Sequence, residues 1–333
     1  MAGRPDRDGT TASRGGCGVK SVATRSRYPI EWLLVRGLQR VAPYVSMSVA
    51  RSAGRGLGRL AYLVDRTRRQ IAVENLTHAF PGRSSKEHEV LTRDMFAHFG
   101  SLALELIKFG TYSRSQMLEA TDVEGEERVR RAYAKGRGVL FFTGHFGYWE
   151  IFALGHPLRL EPVSLLARPL DNPYLHRMLE ALRTSTGNSV IYRQGAVRRM
   201  LRDLAAGKGV AVLIDQHLHS SDVVHVGFFR RPAATTSALA ALALRTGAPV
   251  VPVFALPLPN GRYRFIYEHP VDPPRSDTAD AVREFTQRCS DVLEMYVRRY
   301  PDRWLWMHRR WRHAEIAPRA TEHQQASKRE ADV

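Results

Sequence analysis

Between Ile30 and Val64 the apolar residues recur at helical spacing. Ile30, Leu33, Leu34, Leu38 and Val41 fall on one face of a first predicted helix, Arg36 and Arg40 fall on another, and Pro43 ends it. In a second helix Met47, Ala50, Gly54, Leu57, Ala61 and Val64 make an apolar stripe, and Arg51, Arg55 and Arg59 form a cationic ridge at every fourth position. Such a basic amphipathic helix suits either the plane of an anionic bilayer or packing on its own domain with a solvated Arg face. From Arg137 onward, short apolar runs predict strands over 139–143, 163–167, 189–192, 210–214 and 250–254. A further strand over 263–267 follows the turn Pro259-Asn260-Gly261. Helices are predicted over 148–158, 172–186, 195–206, 235–246 and 279–299. Near-continuous Val/Ile/Leu strands separated by helices point to a parallel sheet buried on both faces, with the last two strands antiparallel across their short turn. The class is α/β, a mostly parallel central sheet with flanking helices behind N-terminal amphipathic helices. Residues 1–28 have little to bury and read as a disordered basic arm, and 314–333 as a polar disordered tail, which leaves one body over 29–313.

Charge narrows the choice of partner. The 333 residues hold 50 Lys and Arg against 33 Asp and Glu, a net charge of +17. That excess calls for an anionic partner, whether nucleic acid, a membrane surface, or an acidic carrier or substrate. Two cysteines, Cys17 and Cys289, exclude a disulfide framework and fit a reducing compartment. No apolar run reaches the length of an ordinary transmembrane helix, and the opening MAGRPDRDGTTASRGGCGVK lacks the apolar region of a secretory signal.

In an open α/β sheet, ligands bind beyond the carboxyl ends of the strands. Those ends carry Thr143-Gly144-His145, then Arg168, then Asp215-Gln216-His217, so an imidazole, a guanidinium and a carboxylate converge on one rim. In Gly144-His145-Phe146-Gly147-Tyr148-Trp149-Glu150 the glycines allow a tight turn from strand into helix. Glu150, five positions after His145, can reach one ring nitrogen and leave the other facing the crevice as a general base. The plainer alternative is a turn-capping histidine and a glutamate favoured by the helix dipole. The sequence has no G-x-S-x-G elbow, no G-x-G-x-x-G after the first strand and no G-x-x-x-x-G-K-[ST], which disfavours serine hydrolysis and nucleotide-driven chemistry. His217, His219 and His225 lack a clear set of partner ligands, so no metal is expected.

At His145 the chain resembles a known family. Gly138 to Glu150 resembles the H-x-x-x-x-[D/E] motif of the lipid A late acyltransferases, which include relatives acting on phosphatidylinositol mannosides. Arg68 to Leu76 with Ala79-Phe80-Pro81, Arg168 to Pro173, Asp215-Gln216, Phe228-Phe229 with Ala233 to Thr236, and Trp306 to Trp311 are similar to its further blocks in the same order. His217 stands where many members carry a second acidic residue, and His219 where a glycine is expected, so the acceptor stays open.

The resemblance implies a glycerolipid acyltransferase-like fold. It implies acyl transfer from an acyl-carrier protein or acyl-CoA thioester to a hydroxyl of a membrane glycolipid, on the cytoplasmic face of the bacterial inner membrane. His145 would be the base and Glu150 its orienting partner, while Arg168, Asp215 and Asn172 would place substrate. Arg168 or backbone N–H groups after Gly147 would steady the charge on the carbonyl oxygen, and no cofactor beyond the thioester is implied. The basic cluster that includes Arg298, Arg299, Arg303, Arg309, Arg310 and Arg312 suits head-group or donor phosphates, Arg309 and Arg310 above all, or is a solvated face. With Arg36 and Arg40 interrupting the first helix, surface attachment is expected rather than a span. Alternatives are a phosphatidylinositol mannoside or lysophospholipid acyltransferase, a non-catalytic lipid-binding protein, and a basic nucleic-acid-binding protein. No nucleic-acid module is visible, so no nucleic-acid partner is expected.

Overall fold

The computed structural model describes residues 27–192, 194–216 and 223–311. Nearly all of the predicted arm, the whole tail, Arg312 and the His217 and His219 positions lie outside these residues. The chain begins with α1 (Tyr28–Val41), α2 (Met47–Val64), α3 (Arg66–Ala79), α4 (Ser85–Phe109) and α5 (Arg114–Glu119). There follow β1 (Thr121–Glu124), α6 (Glu126–Tyr133), β2 (Val139–Thr143), α7 (Trp149–Gly155), β3 (Val163–Ala167), α8 (Pro173–Thr184), β4 (Ser189–Tyr192) and α9 (Ala196–Ala205). The last part is β5 (Gly209–Leu213), β6 (Val223–Phe228), β7 (Arg231–Thr236), α10 (Ala238–Thr246), β8 (Val250–Pro257), β9 (Tyr263–Tyr267) and α11 (Ala279–Arg299).

Seven strands form one sheet in the order β1-β9-β8-β2-β5-β3-β4. All neighbours are parallel except β8 and β9. Side chains alternate across β2, so Val139 and Phe141 enter one core with Phe109 and Tyr263, while Leu140 and Phe142 enter another with Phe146, Trp304 and Trp306. Covering both faces with helices explains why β2 is almost wholly apolar. Helix starts follow local chemistry. Ser46, Asp65 and Thr278 each accept a backbone N–H from the first turn of α2, α3 and α11, and Ser84 and Ser113 form capping boxes with Glu87 and Gln116.

The predicted helix over 235–246 starts later, at Ala238. Residues 231–236 instead pair with 223–228 as an antiparallel hairpin. Its two-residue turn holds both Phe229 and Arg230 at positive φ, 52° and 59°, the backbone that closes a tight hairpin. The Phe229 N–H donates to Glu294 of α11 over 2.6 Å, which holds the turn against the body.

The second predicted apolar stripe divides between two faces. Ala50 and Gly54, with Gly58, are buried against α4, whereas Leu57, Ala61 and Val64 are exposed. A Cβ at Gly58 would lie 2.1 Å from the Phe96 carbonyl oxygen, so only glycine permits this approach of the two helices. The apolar face of α1 is likewise uncovered: Leu33 and Leu34 are 60% and 65% exposed, and Leu60 and Leu63 of α2 are 56% and 63% exposed. Among the described residues no helix is long and apolar enough to cross a membrane.

Candidate active site

Strand pairing builds the centre of the site. β2 and β5 run parallel with Thr143 opposite Leu213, so the residues two further on, His145 and Asp215, emerge side by side. His145 Nδ1 lies 2.8 Å from Asp215 Oδ1, and the His145 backbone N–H donates to Asp215 Oδ2 over 2.6 Å. Trp304 Nε1–H donates to the same Oδ2 over 2.7 Å. Gly144 makes this possible, because a Cβ there would lie 2.8 Å from the Asp215 carboxylate. Gly147 has a φ of +60° and packs against the Ala255 carbonyl, which turns the chain away into α7.

Burial alone would raise the Asp215 pKa, but the His145 charge, its two hydrogen bonds and the Trp304 N–H outweigh it and hold the carboxyl at about 2. For His145, burial alone would lower the pKa, yet Asp215, aided by Glu150, raises it above its ordinary value. An ionised carboxylate only accepts, so Nδ1 carries the proton and Nε2 presents a lone pair. That Nε2 lies 3.2 Å from the amide nitrogen of exposed Gln216, and the His145 side chain keeps 17% of its surface. The arrangement is a histidine fixed in one tautomer, with its basic nitrogen open to the rim.

Glu150 is not the partner of His145. It forms a bidentate ion pair with Arg183 of α8, Nε to Oε2 at 2.9 Å and Nη2 to Oε1, and it accepts from Trp149 Nε1 over 3.2 Å. The helix begins only at Trp149, so Glu150 in its first turn meets α8 rather than the imidazole. Glu150 reaches the site indirectly, since the Trp149 ring packs edge-on to His145 with centroids 5.4 Å apart. Arg183 and Trp304 carried no signal of this role in the sequence, because nothing local to either links it to His145.

The remaining predicted residues sit elsewhere. Asp215 is spent on His145 and Trp304 rather than open to substrate. Arg168 is exposed, with Asp171 3.9 Å away. Asn172 is buried: its Oδ1 caps α8 by accepting from Tyr174 N–H, and its amide donates to the Tyr28 carbonyl and to Glu31. Both ends of the side chain are used in fixing α1 to α8, rather than standing free for substrate as expected. Arg310 is buried on the Ala234 carbonyl and Thr235 Oγ1, with burial pushing its pKa down to about 10, so it is not open to a phosphate. Arg309 is exposed. The N–H groups of Gly147 and Tyr148 are taken by the carbonyls of Arg303 and Ala255, so of the N–H groups expected after Gly147 the first, that of Tyr148, is already bonded. His225 is exposed on β6, and among the described residues no group of three or more His, Cys, Asp or Glu side chains could hold a metal ion.

A histidine held by a carboxylate on the rim of such a sheet is placed for proton transfer, and comparison with known proteins specifies the class. Residues 19–313 match the model of the bacterial lipid A biosynthesis acyltransferase family. The chain belongs to that family and is an enzyme that transfers acyl groups. It is 27% identical over 288 residues to the lipid A biosynthesis lauroyltransferase of Escherichia coli, which covers 86% of this chain and 92% of the relative. It is 24% identical over 290 residues to the phosphatidylinositol mannoside acyltransferase of Mycolicibacterium smegmatis, 85% of this chain and 90% of the relative. Among solved structures, the 1-acyl-sn-glycerophosphate acyltransferase of Thermotoga maritima aligns with 74% of this chain and 97% of its own, at 18% identity and a TM-score of 0.35.

Proposed function

We propose that this protein moves a fatty acyl group from the thioester of an acyl-carrier protein or CoA to a hydroxyl of a membrane glycolipid, with His145 as the base. The observation that carries the reading is the His145–Asp215 pair, whose Nε2 faces the rim while Nδ1 is held by a carboxylate. The acceptor hydroxyl takes the place of the Gln216 amide at Nε2. His145 removes its proton as the oxygen attacks the acyl carbon, and Asp215 stabilises the imidazolium that forms. The C–S bond then breaks, and the departing thiolate takes up the proton from His145. The Glu150–Arg183 pair holds Trp149 against the ring as a positioning element. The reaction needs no cofactor beyond the thioester.

The same reading places the enzyme on the membrane surface. The uncovered leucines of α1 and α2 form an apolar face beside a ridge of arginines, the pattern of a helix that lies in the interface of an anionic bilayer. We assign that bilayer to the cytoplasmic face of the inner membrane, where thioester donors are available. The lipid A precursor is the first acceptor to test, and the relative acting on phosphatidylinositol mannoside makes that lipid the second.

The test measures acyl transfer by purified protein in detergent from palmitoyl-carrier protein and palmitoyl-CoA. The acceptors are a tetra-acylated lipid A precursor, a phosphatidylinositol mannoside and a lysophospholipid. Product on one acceptor that disappears in His145→Ala supports the reading. Acylation that persists in His145→Ala removes His145 from the mechanism, and lipid binding without turnover favours a non-catalytic lipid-binding protein.

A further inference from the structure

Beside the loop that carries His145 lies a cleft of about 390 Å³ whose lining includes Arg51, Arg55 and Arg303. Tyr148 and His98 form part of its wall, and the Pro257–Pro259 turn at the carboxyl end of β8 forms another. β8 runs parallel to β2, so the cleft opens on the same rim as His145. The loop and the cleft share backbone: Arg303 faces the cleft while its carbonyl accepts the Gly147 N–H, and His98 Nε2 lies 3.2 Å from the Gly147 carbonyl.

Charges in the cleft do not cancel. Arg51 is paired with buried Glu105 at 2.7 Å, and its buried Nε has no partner among the described residues. Two carboxylates also line the cleft, but Asp302 lies 3.8 Å from Arg303, and Asp94 lies 3.6 Å from Arg93, outside the cleft. Arg55 is exposed and has no ion pair among the described residues, so one positive charge is left over. His98 senses this field: burial first, then the charges of Arg303 and Arg55, press its pKa down to about 3 and keep it neutral.

The position on α2 specifies the ligand further. At 100° per residue, Arg51 and Arg55 lie between the buried seam of Ala50, Gly54 and Gly58 and the outer apolar face of Val49, Leu60 and Leu63. With that outer face in the lipid, the two arginines sit at the depth of the phosphates.

We infer that this cleft binds a phosphate group carried by one of the two substrates, through Arg55 and Arg303, with Arg51 fixed by Glu105 as the floor. A planar guanidinium matches a phosphate in bidentate geometry, and the cleft shares Tyr148 with the loop that carries His145. The assignment to a substrate rests on the acyltransferase reading; the anion site does not.

The experiment titrates the full-length protein with two soluble probes, glucosamine 1-phosphate for a sugar-borne phosphate and adenosine 3′,5′-bisphosphate for the phosphates of CoA. Binding is followed by calorimetry or 31P NMR in wild type, His145→Ala, Arg55→Gln and Arg303→Gln. At least one probe is expected to bind saturably, with affinity reduced about tenfold in each arginine variant and unchanged in His145→Ala. Selective binding of the sugar phosphate assigns the cleft to the acceptor, and of the nucleotide to the donor. Arg55 is exposed, so Arg55→Gln decides the matter if Arg303→Gln fails to fold. Three outcomes overturn the inference: no saturable binding at millimolar probe, equal binding in the arginine variants, or loss of binding in His145→Ala. Phosphate binding by a wild type that transfers no acyl group to any acceptor refutes the proposed reaction and leaves the anion site standing.

Discussion

Replacing Asp215 with Asn keeps the shape of the site and removes its charge. In the native protein the carboxylate accepts from His145 Nδ1, the His145 N–H and Trp304 Nε1. An amide has one oxygen for those three donors, and its NH2 group faces the imidazole as a donor. His145 then presents a lone pair at Nδ1 and carries its proton at Nε2, the wrong tautomer for a base. Holding the Asp215 carboxyl at about 2 instead of 3.8 corresponds to interaction on the order of 2 kcal/mol, roughly fiftyfold in rate if the imidazolium loses all of it. Tautomer inversion enlarges the loss toward the full contribution of a general base, up to about ten-thousandfold. The assay is steady-state acyl transfer against pH, with kcat and KM separated. In wild type, kcat/KM should climb as pH rises through the His145 pKa, which stands above its ordinary 6.5. In Asp215→Asn the burial that lowers that pKa acts without its main opponent, so the residual activity should rise at lower pH, with KM little changed. A kcat within tenfold of wild type, on the same pH profile, refutes the assignment of Asp215 as the partner of His145.

The same pair predicts the response to acid. The depressed Asp215 pKa contributes stability above about pH 4 that is lost as pH falls toward 2, so the melting temperature of wild type should drop over that window more than that of Asp215→Asn. Glu150→Gln leaves the Arg183 guanidinium buried without its carboxylate, which should cost roughly 3 kcal/mol in denaturant unfolding. The loss of activity in Glu150→Gln should not add to that of Arg183→Gln, as a double-mutant cycle would show. Gly58→Ala forces a methyl against the Phe96 carbonyl and should destabilise by roughly 1–3 kcal/mol, measured by chemical denaturation. Leu34→Ser and Leu60→Ser remove uncovered side chains, so each should weaken sedimentation with anionic vesicles about tenfold while leaving the melting temperature unchanged.

Much of the sheet was legible because its strands are buried on both faces. The apolar runs over 139–143, 163–167, 189–192 and 263–267 coincide with observed strands. The hairpin at Val223–Phe228 and Arg231–Thr236 was not, because Pro232, Ala233, Ala234, Thr235 and Thr236 have neither a long apolar run nor alternation, and its turn lacks glycine. Likewise, counting along the chain put Glu150 beside His145, whereas the nearer carboxylate arrives from a strand 70 positions away. Only the pairing of β2 with β5 brings the ends of those strands together, and a lone sequence does not say which strands are neighbours. The stripe on α2 misled for a similar reason. Hydropathy ranks Leu57 above Gly58, yet at the approach to α4 the absence of a side chain decides which face goes inward.

The segment that closes the active site comes late in the chain. Trp304 completes the hydrogen bonds to Asp215, the Arg303 carbonyl receives the Gly147 N–H, and the Trp306 and His308 carbonyls hold Asn75 of α3. During synthesis His145 and Asp215 therefore leave the ribosome long before the residues that lock them in place. A nascent chain has its exposed leucine faces and its His145–Asp215 pair, but not the Trp304 N–H that completes the bonds to the carboxylate. On the proposed mechanism the hydrogen bonds that fix His145 and Asp215 are complete only once residues 303–308 have docked.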